Sequence, residues 1–117
     1  MLYCGANISL CALEILAHSG AIPRNKVLIE VELPDDLDIL ALDDASLPPD
    51  WDAPVDQDST KDLGTRWAEG KATAVMSVPS AIVRKERNYL INPLHPDFSR
   101  IRFSSPEPFV FDPRLKR

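Results

Sequence analysis

The 117-residue chain predicts a single small α+β domain of short, mostly antiparallel strands with two or more helices. Three observations lead there. The length leaves room for one modest core. Eleven prolines against four glycines divide the chain into short extended segments joined by stiff turns. Two helix-like stretches lie among apolar runs too short to be helices. At 44% hydrophobic and 26% charged, the composition is that of a folded globular protein.

Leu2-Tyr3-Cys4 is a short apolar strand, and Gly5-Ala6-Asn7 turns it into the first helix. Asn7 is a suitable N-cap, because its side chain can accept from a backbone N–H that the first helical turn leaves unpaired. Ser19-Gly20 ends this helix, and Pro23 prevents its return. On the helical wheel Ile8, Cys11, Ala12, Ile15 and Leu16 make one face, while Leu10, Leu13 and Ala17 cover much of the other. A helix that is apolar nearly all round is expected to be buried nearly all round.

Val27 to Leu33 alternates, which predicts one strand with Val27, Ile29, Val31 and Leu33 inward and Glu30 and Glu32 outward. Pro34-Asp35-Asp36 turns, and Ile39 to Leu42 is another short strand. Asp43 to Asp58 is acidic, proline-rich and without period, the pattern of a surface loop. Ser59-Thr60-Lys61-Asp62 resembles a capping box and opens a second helix, which buries Leu63 and Trp67 and stops at Gly70. Ala72 to Val78 is a strand, Pro79-Ser80 breaks it, and Ala81-Ile82-Val83 is expected to resume it. Further strands are expected at Ile101–Phe103 and Phe109–Phe111. Asn92, before Pro93, reads with His95 as a structural turn.

The net charge of −5 hides an asymmetry. Residues 1–60 carry twelve acidic and two basic side chains, and residues 61–117 carry six acidic and eleven basic. The acidic half argues against a general nucleic-acid binder, whose affinity comes from a basic surface. The basic half either holds a small anion or pairs with the acidic half as a solvated face. Cys4 and Cys11 read as two small reduced core residues, in keeping with a cytoplasmic protein. They form no recognised zinc spacing with His18 or His95, so no metal is expected. No apolar stretch approaches the roughly 20 residues that cross a membrane.

Glu14 is the one acidic side chain in the apolar run from Ile8 to Ala17. Burying an unpaired carboxylate costs several kcal/mol, so such a group is paired, exposed or used in chemistry. From pattern alone two readings stand. Either Glu14 lies at a helix edge, reaching solvent or bonding His18 one turn on, or it serves a site.

Taken together, "LYCGANISLCALEILAH", "VLIEVELPDDL", "VPSAIV", "ERNYLINPLHPDF" and "PFVFDPRL" resemble the RES domain, over about Leu2 to Leu115. That family, found as toxins of bacterial toxin–antitoxin pairs, is similar in fold to ADP-ribosyltransferases and acts on NAD, either breaking it down or transferring its ADP-ribose to a protein. The resemblance implies NAD as substrate without a metal, and scission of the nicotinamide–ribose bond. It also implies silencing by an antitoxin with an Xre-type helix-turn-helix. A homodimer is a further expected assembly, with no direct nucleic-acid or membrane contact. By position, the family's tyrosine corresponds to Tyr3, its glutamate to Glu14 and its serine to Ser80. The family's arginine lies upstream of that tyrosine and has no counterpart here. The chain, residues 1–117, therefore reads as a RES domain lacking its N-terminal segment. Weak NAD binding follows from that reading, because an arginine fork is the natural partner of a pyrophosphate.

On this reading Glu14 stabilises positive charge on the ribose as the bond breaks. Tyr3 offers a ring and a hydroxyl to the substrate, or is a core aromatic. Ser80 points a hydroxyl into a cleft to bond a ribose or phosphate oxygen, or is a turn residue. The alternative for the whole chain is a non-catalytic remnant that serves as an interaction module for an antitoxin.

Overall fold

The computed structural model describes residues 1–49, 51–52 and 58–116, and only the backbone of residues 58–61. The α+β class expected from the sequence is the one observed. A four-stranded sheet in the order β1-β6-β5-β4 is built from β1 (Leu2–Gly5), β4 (Ile39–Ala41), β5 (Val75–Pro79) and β6 (Arg87–Ile91). Its neighbours are antiparallel except β4 and β5, which run parallel. That exception follows from connectivity: α2 (Asp58–Gly70) lies between them in the chain, and a crossover helix returns a strand in the same direction. Two small antiparallel ladders complete the fold. They pair β2 (Lys26–Leu28) with β8 (Glu107–Phe109), and β3 (Val31–Glu32) with β7 (Arg102–Phe103).

Alternation along the central strands divides the core in two. Met76 and Leu90 face one side and pack with Trp67 of α2. Val75 and Ile91 face the other and pack with Leu37, Ala74 and Ile101. The Trp67 indole N–H donates to Thr73 Oγ1 at 2.9 Å, so the buried ring leaves no orphaned donor. Asn92 is buried after β6, donating to the Ala68 carbonyl at 2.9 Å and accepting from Leu94 N–H at 3.1 Å. Its place is the structural turn that Asn92-Pro93 predicts, and His95 caps the following 3₁₀ turn by accepting from Asp97 N–H.

The first helix, α1 (Ile8–Ala17), starts where the sequence places it, and Asn7 caps it by accepting from Leu10 N–H at 2.8 Å. Its burial does not follow expectation. Only Leu10 and Leu16 are buried, whereas Ile8 is 51% and Leu13 42% exposed. The reason is placement: α1 packs against the end of β1, an edge strand, and so is covered on one side. Its last turn is held from the C-terminus by the Lys116 ammonium, which donates to the carbonyls of Leu16 (2.9 Å) and Ser19.

Other boundaries also differ. The expected strand from Val27 to Leu33 is two strands with opposite phase, so Val27 and Ile29 are exposed while Leu28 and Val31 are half-buried. The break sits at Glu30, whose N–H donates to Ser104 Oγ and whose carbonyl accepts from Ser104 N–H. That side-chain bond replaces a ladder contact and shifts the register by one. Ala81–Val83 do not resume β5 but form the turn into β6. The acidic loop contains a 3₁₀ turn at Asp44–Ser46, and its residues 50 and 53–57 lie outside the described residues. So do the side chains of Ser59, Thr60 and Lys61, on which the capping box would rest. No helix among the described residues is long and apolar enough to cross a membrane.

α1 sits so close to β1 that any side chain at position 5 must displace its neighbours. A Cβ there would lie 2.8 Å from Cys11 Sγ and 3.3 Å from the Cys11 backbone nitrogen. Gly5→Ala is therefore expected to destabilise the domain by about 1–3 kcal/mol, as overpacked sites do. In a Cys11→Ala background most of that loss is expected to disappear, which urea denaturation of the four proteins will measure.

Candidate active site

Glu14 lies on the second turn of α1, half-buried, with its carboxylate aimed at the sheet. Its Oε1 accepts two hydrogen bonds, from Ser80 Oγ at 2.6 Å and from Asn88 Nδ2 at 2.8 Å. The partners come from β6 and the residue after β5, and neither is His18. The bond to His18, one of the two local readings of Glu14, is thereby corrected: the helix turns its half-buried carboxylate to donors from the β5–β6 hairpin. His18 nonetheless lines the same cavity, one turn further along α1.

Ser80 follows Pro79 at the end of β5 and is completely buried. Its hydroxyl donates to Glu14 and accepts from the backbone N–H groups of Ile82 and Val83, both at 3.0 Å. Ser80 N–H in turn donates to the Glu86 carbonyl at 2.9 Å, closing the turn. The expectation that this hydroxyl points into a cleft is therefore corrected. A hydroxyl with one donor and two acceptor sites is fully used by these three bonds.

Tyr3 stands on the edge strand and is 74% exposed, so it is no core aromatic. It borders two adjoining cavities. One, of about 460 Å³, is lined by Glu14, Asn88, His18, Ile15 and Tyr3 among others. The other, of about 790 Å³, lies toward the β2–β3 side and is lined by Leu28, Glu30, Val31, Tyr89 and Ser104 among others. Tyr3, Cys4, Gly5 and Cys11 belong to both walls. The smaller cavity is the better candidate because it holds the carboxylate, and its size is within the range of small-molecule sites. Cys4, Cys11, Glu14 and His18 all border it. Among the described residues, however, no three His, Cys, Asp or Glu side chains gather closely enough to hold a metal ion.

Sequence reasoning singled out Tyr3, Glu14 and Ser80; the fold bonds Ser80 to Glu14 and sets Tyr3 on the wall of the cavity that Glu14 borders. It missed Asn88 and Glu86. The Glu86 carboxylate accepts from the Asn7 side-chain amide at 2.6 Å, while Arg87 donates from Nε to Ser77 Oγ at 2.8 Å and from Nη2 to the Ser77 carbonyl at 2.9 Å. The available signal was the triplet Glu86-Arg87-Asn88 itself: three polar residues leading into an apolar strand, of which alternation sends the first and third to one side.

A short edge strand feeds a helix whose one inward carboxylate rests on neutral donors beside an apolar cavity. That describes a small α+β domain built around a carboxylate-bearing cleft. Residues 1–112 match the RES domain, and the chain belongs to that family. It is 37% identical over 123 residues to the Prs ADP-ribosylating toxin of Sphingobium sp., covering all of this chain and 75% of that protein. It is 37% identical over 101 residues to a protein named Toxin Res from Photorhabdus laumondii, covering 84% of this chain and 64% of that one. To Toxin Res of Yersinia enterocolitica it is 36% identical over 120 residues, covering 98% and 77% respectively.

Two outcomes follow from this geometry. Ser80→Ala strips a donor from Glu14 and an acceptor from the part-buried N–H groups of Ile82 and Val83, and is expected to cost about 1–3 kcal/mol in urea denaturation. Burial, and secondarily the neighbouring Cys11, push the Cys4 thiol up. Because the thiolate is the reactive form, alkylation of Cys4 by iodoacetamide is expected to set in at higher pH than that of free cysteine. Mass spectrometry of the Cys11→Ser protein across pH will measure it.

Proposed function

We propose that this chain is a RES toxin that consumes NAD by breaking its nicotinamide–ribose bond, with Glu14 as the residue that stabilises charge during the cleavage. The observation that carries the reading is the Glu14 carboxylate, held by Ser80 and Asn88 at the wall of an apolar cavity. Kinship with a protein named as an ADP-ribosylating toxin supports NAD as the substrate.

The chemistry follows from the substrate. As the C1′–N bond breaks, its electron pair leaves with nicotinamide, which becomes neutral, and positive charge spreads over C1′ and the ring oxygen of the ribose. A fixed carboxylate in a mainly apolar cavity stabilises that charge more than it stabilises the ground state. The acceptor, water, inorganic phosphate or a side chain of another protein, then bonds to C1′ and gives up its proton to the carboxylate. Tyr3, exposed at the rim, offers a ring for the nicotinamide to stack on. Ser80, fully committed within the fold, acts through Glu14 rather than on the substrate. The name shared by the relatives supports an antitoxin as the binding partner, and the Xre-type helix-turn-helix is the class we propose for it.

The test is nicotinamide release from NAD by the purified chain, with Glu14→Gln and Tyr3→Ala beside it. The parent is expected to release nicotinamide, Glu14→Gln to lose at least about 100-fold in kcat, and Tyr3→Ala to lose mainly through a raised KM. A folded parent without release would overturn the catalytic reading and leave an antitoxin-binding module in its place.

A further inference from the structure

We propose that Asn88 is a positioning residue: with Ser80 it pins Oε1 of Glu14 and leaves Oε2 as the oxygen that meets the substrate. This rests on the reading of Glu14 given above. Both donors reach the same oxygen, Ser80 Oγ at 2.6 Å and Asn88 Nδ2 at 2.8 Å. Two donors converging on one oxygen fix the plane and rotation of the carboxylate, which a single bond does not. Among the described residues Oε2 receives no hydrogen bond, and Glu14 and Asn88 border the same cavity.

The backbone under Asn88 suits this task. It lies on β6, between Gly5 of β1 and Val78 of β5, paired on both sides. Two residues earlier Glu86 accepts from Asn7, the N-cap of α1. Asn7 and Glu14 are seven residues apart, two helical turns, and so share one face of α1. Glu86 and Asn88 are two apart in an extended segment and share one side of it. The sheet thus grips the helix at its cap and at its carboxylate. An amide at position 88 donates without adding charge. A carboxylate there would repel Glu14, and an apolar side chain would cover Oε1 without a donor.

The experiment compares the full chain with its Asn88→Ala and Asn88→Asp variants by two measurements. The first needs no turnover: ¹³C relaxation of the Glu14 side-chain methylenes, with the α1 backbone amide shifts as control. Glu14 is expected to be rigid in the parent and mobile in both variants, with α1 unchanged. The second is nicotinamide release, where kcat is expected to fall about 10- to 100-fold with KM for NAD held within about twofold. Asn88→Asp keeps the size of the side chain, so it carries the comparison if Asn88→Ala does not fold. Equal order of Glu14 in parent and variants overturns the proposal, as does a loss confined to KM. If the parent releases no nicotinamide, the catalytic reading fails, and the relaxation measurement still decides whether Asn88 holds Glu14.

Discussion

The hydroxyl of Ser80 is the point on which the arrangement depends. It is completely buried, and it joins two parts of the chain: Glu14 on α1, and the backbone N–H groups of Ile82 and Val83 in the turn that reverses β5 into β6. The bond to the carboxylate is charge-assisted and therefore among the stronger ones available to a neutral donor. The two bonds it accepts satisfy N–H groups that a tight turn would leave unpaired. Because the same oxygen serves both, the shape of the turn and the position of the carboxylate cannot vary independently. An antiparallel hairpin thereby becomes the support for a site on a helix remote in sequence.

The sheet supplies the rigidity that the helix lacks. β6 is paired along its whole length with β5 on one side and from Asn88 to Ile91 with β1 on the other. Glu86 and Asn88 reach α1, while Arg87 between them ties Ser77 and the carbonyl of Leu42 on the far side of the sheet. α1 itself has few deep contacts, being buried only at Leu10 and Leu16. Its orientation rests instead on polar ties at the cap, at Glu14, and at the last turn through Lys116. Sites supported on strands hold their geometry better than sites on loops, and here a loosely packed helix takes its precision from a strand.

Local chemistry was readable residue by residue. Asn7 caps α1 because an Asn side chain reaches the third N–H of a helix from that position regardless of the surroundings. The failures have physical causes. The alternation from Val27 to Leu33 is real, but Ser104, more than 70 residues on, bonds Glu30 and breaks the strand in two. The apolar girth of α1 indicated deep burial, yet burial depends on what the fold brings to each side of a helix. Nor could the destination of the Ser80 hydroxyl be read from its own neighbourhood, since its decisive partner lies 66 residues away.

By itself the sequence determined the α+β class, the start of α1, the anomalous carboxylate at position 14 and the family to which the chain belongs. Each of these depends on residue type and short spacing, which survive without a fold. The tertiary structure decided that Glu14 faces Ser80 and Asn88 rather than His18, that Ser80 is enclosed rather than open to a cleft, and that Tyr3 stands at the rim of a cavity. Those are contacts between segments that only strand register brings together, and register is a property of the whole sheet rather than of any stretch within it.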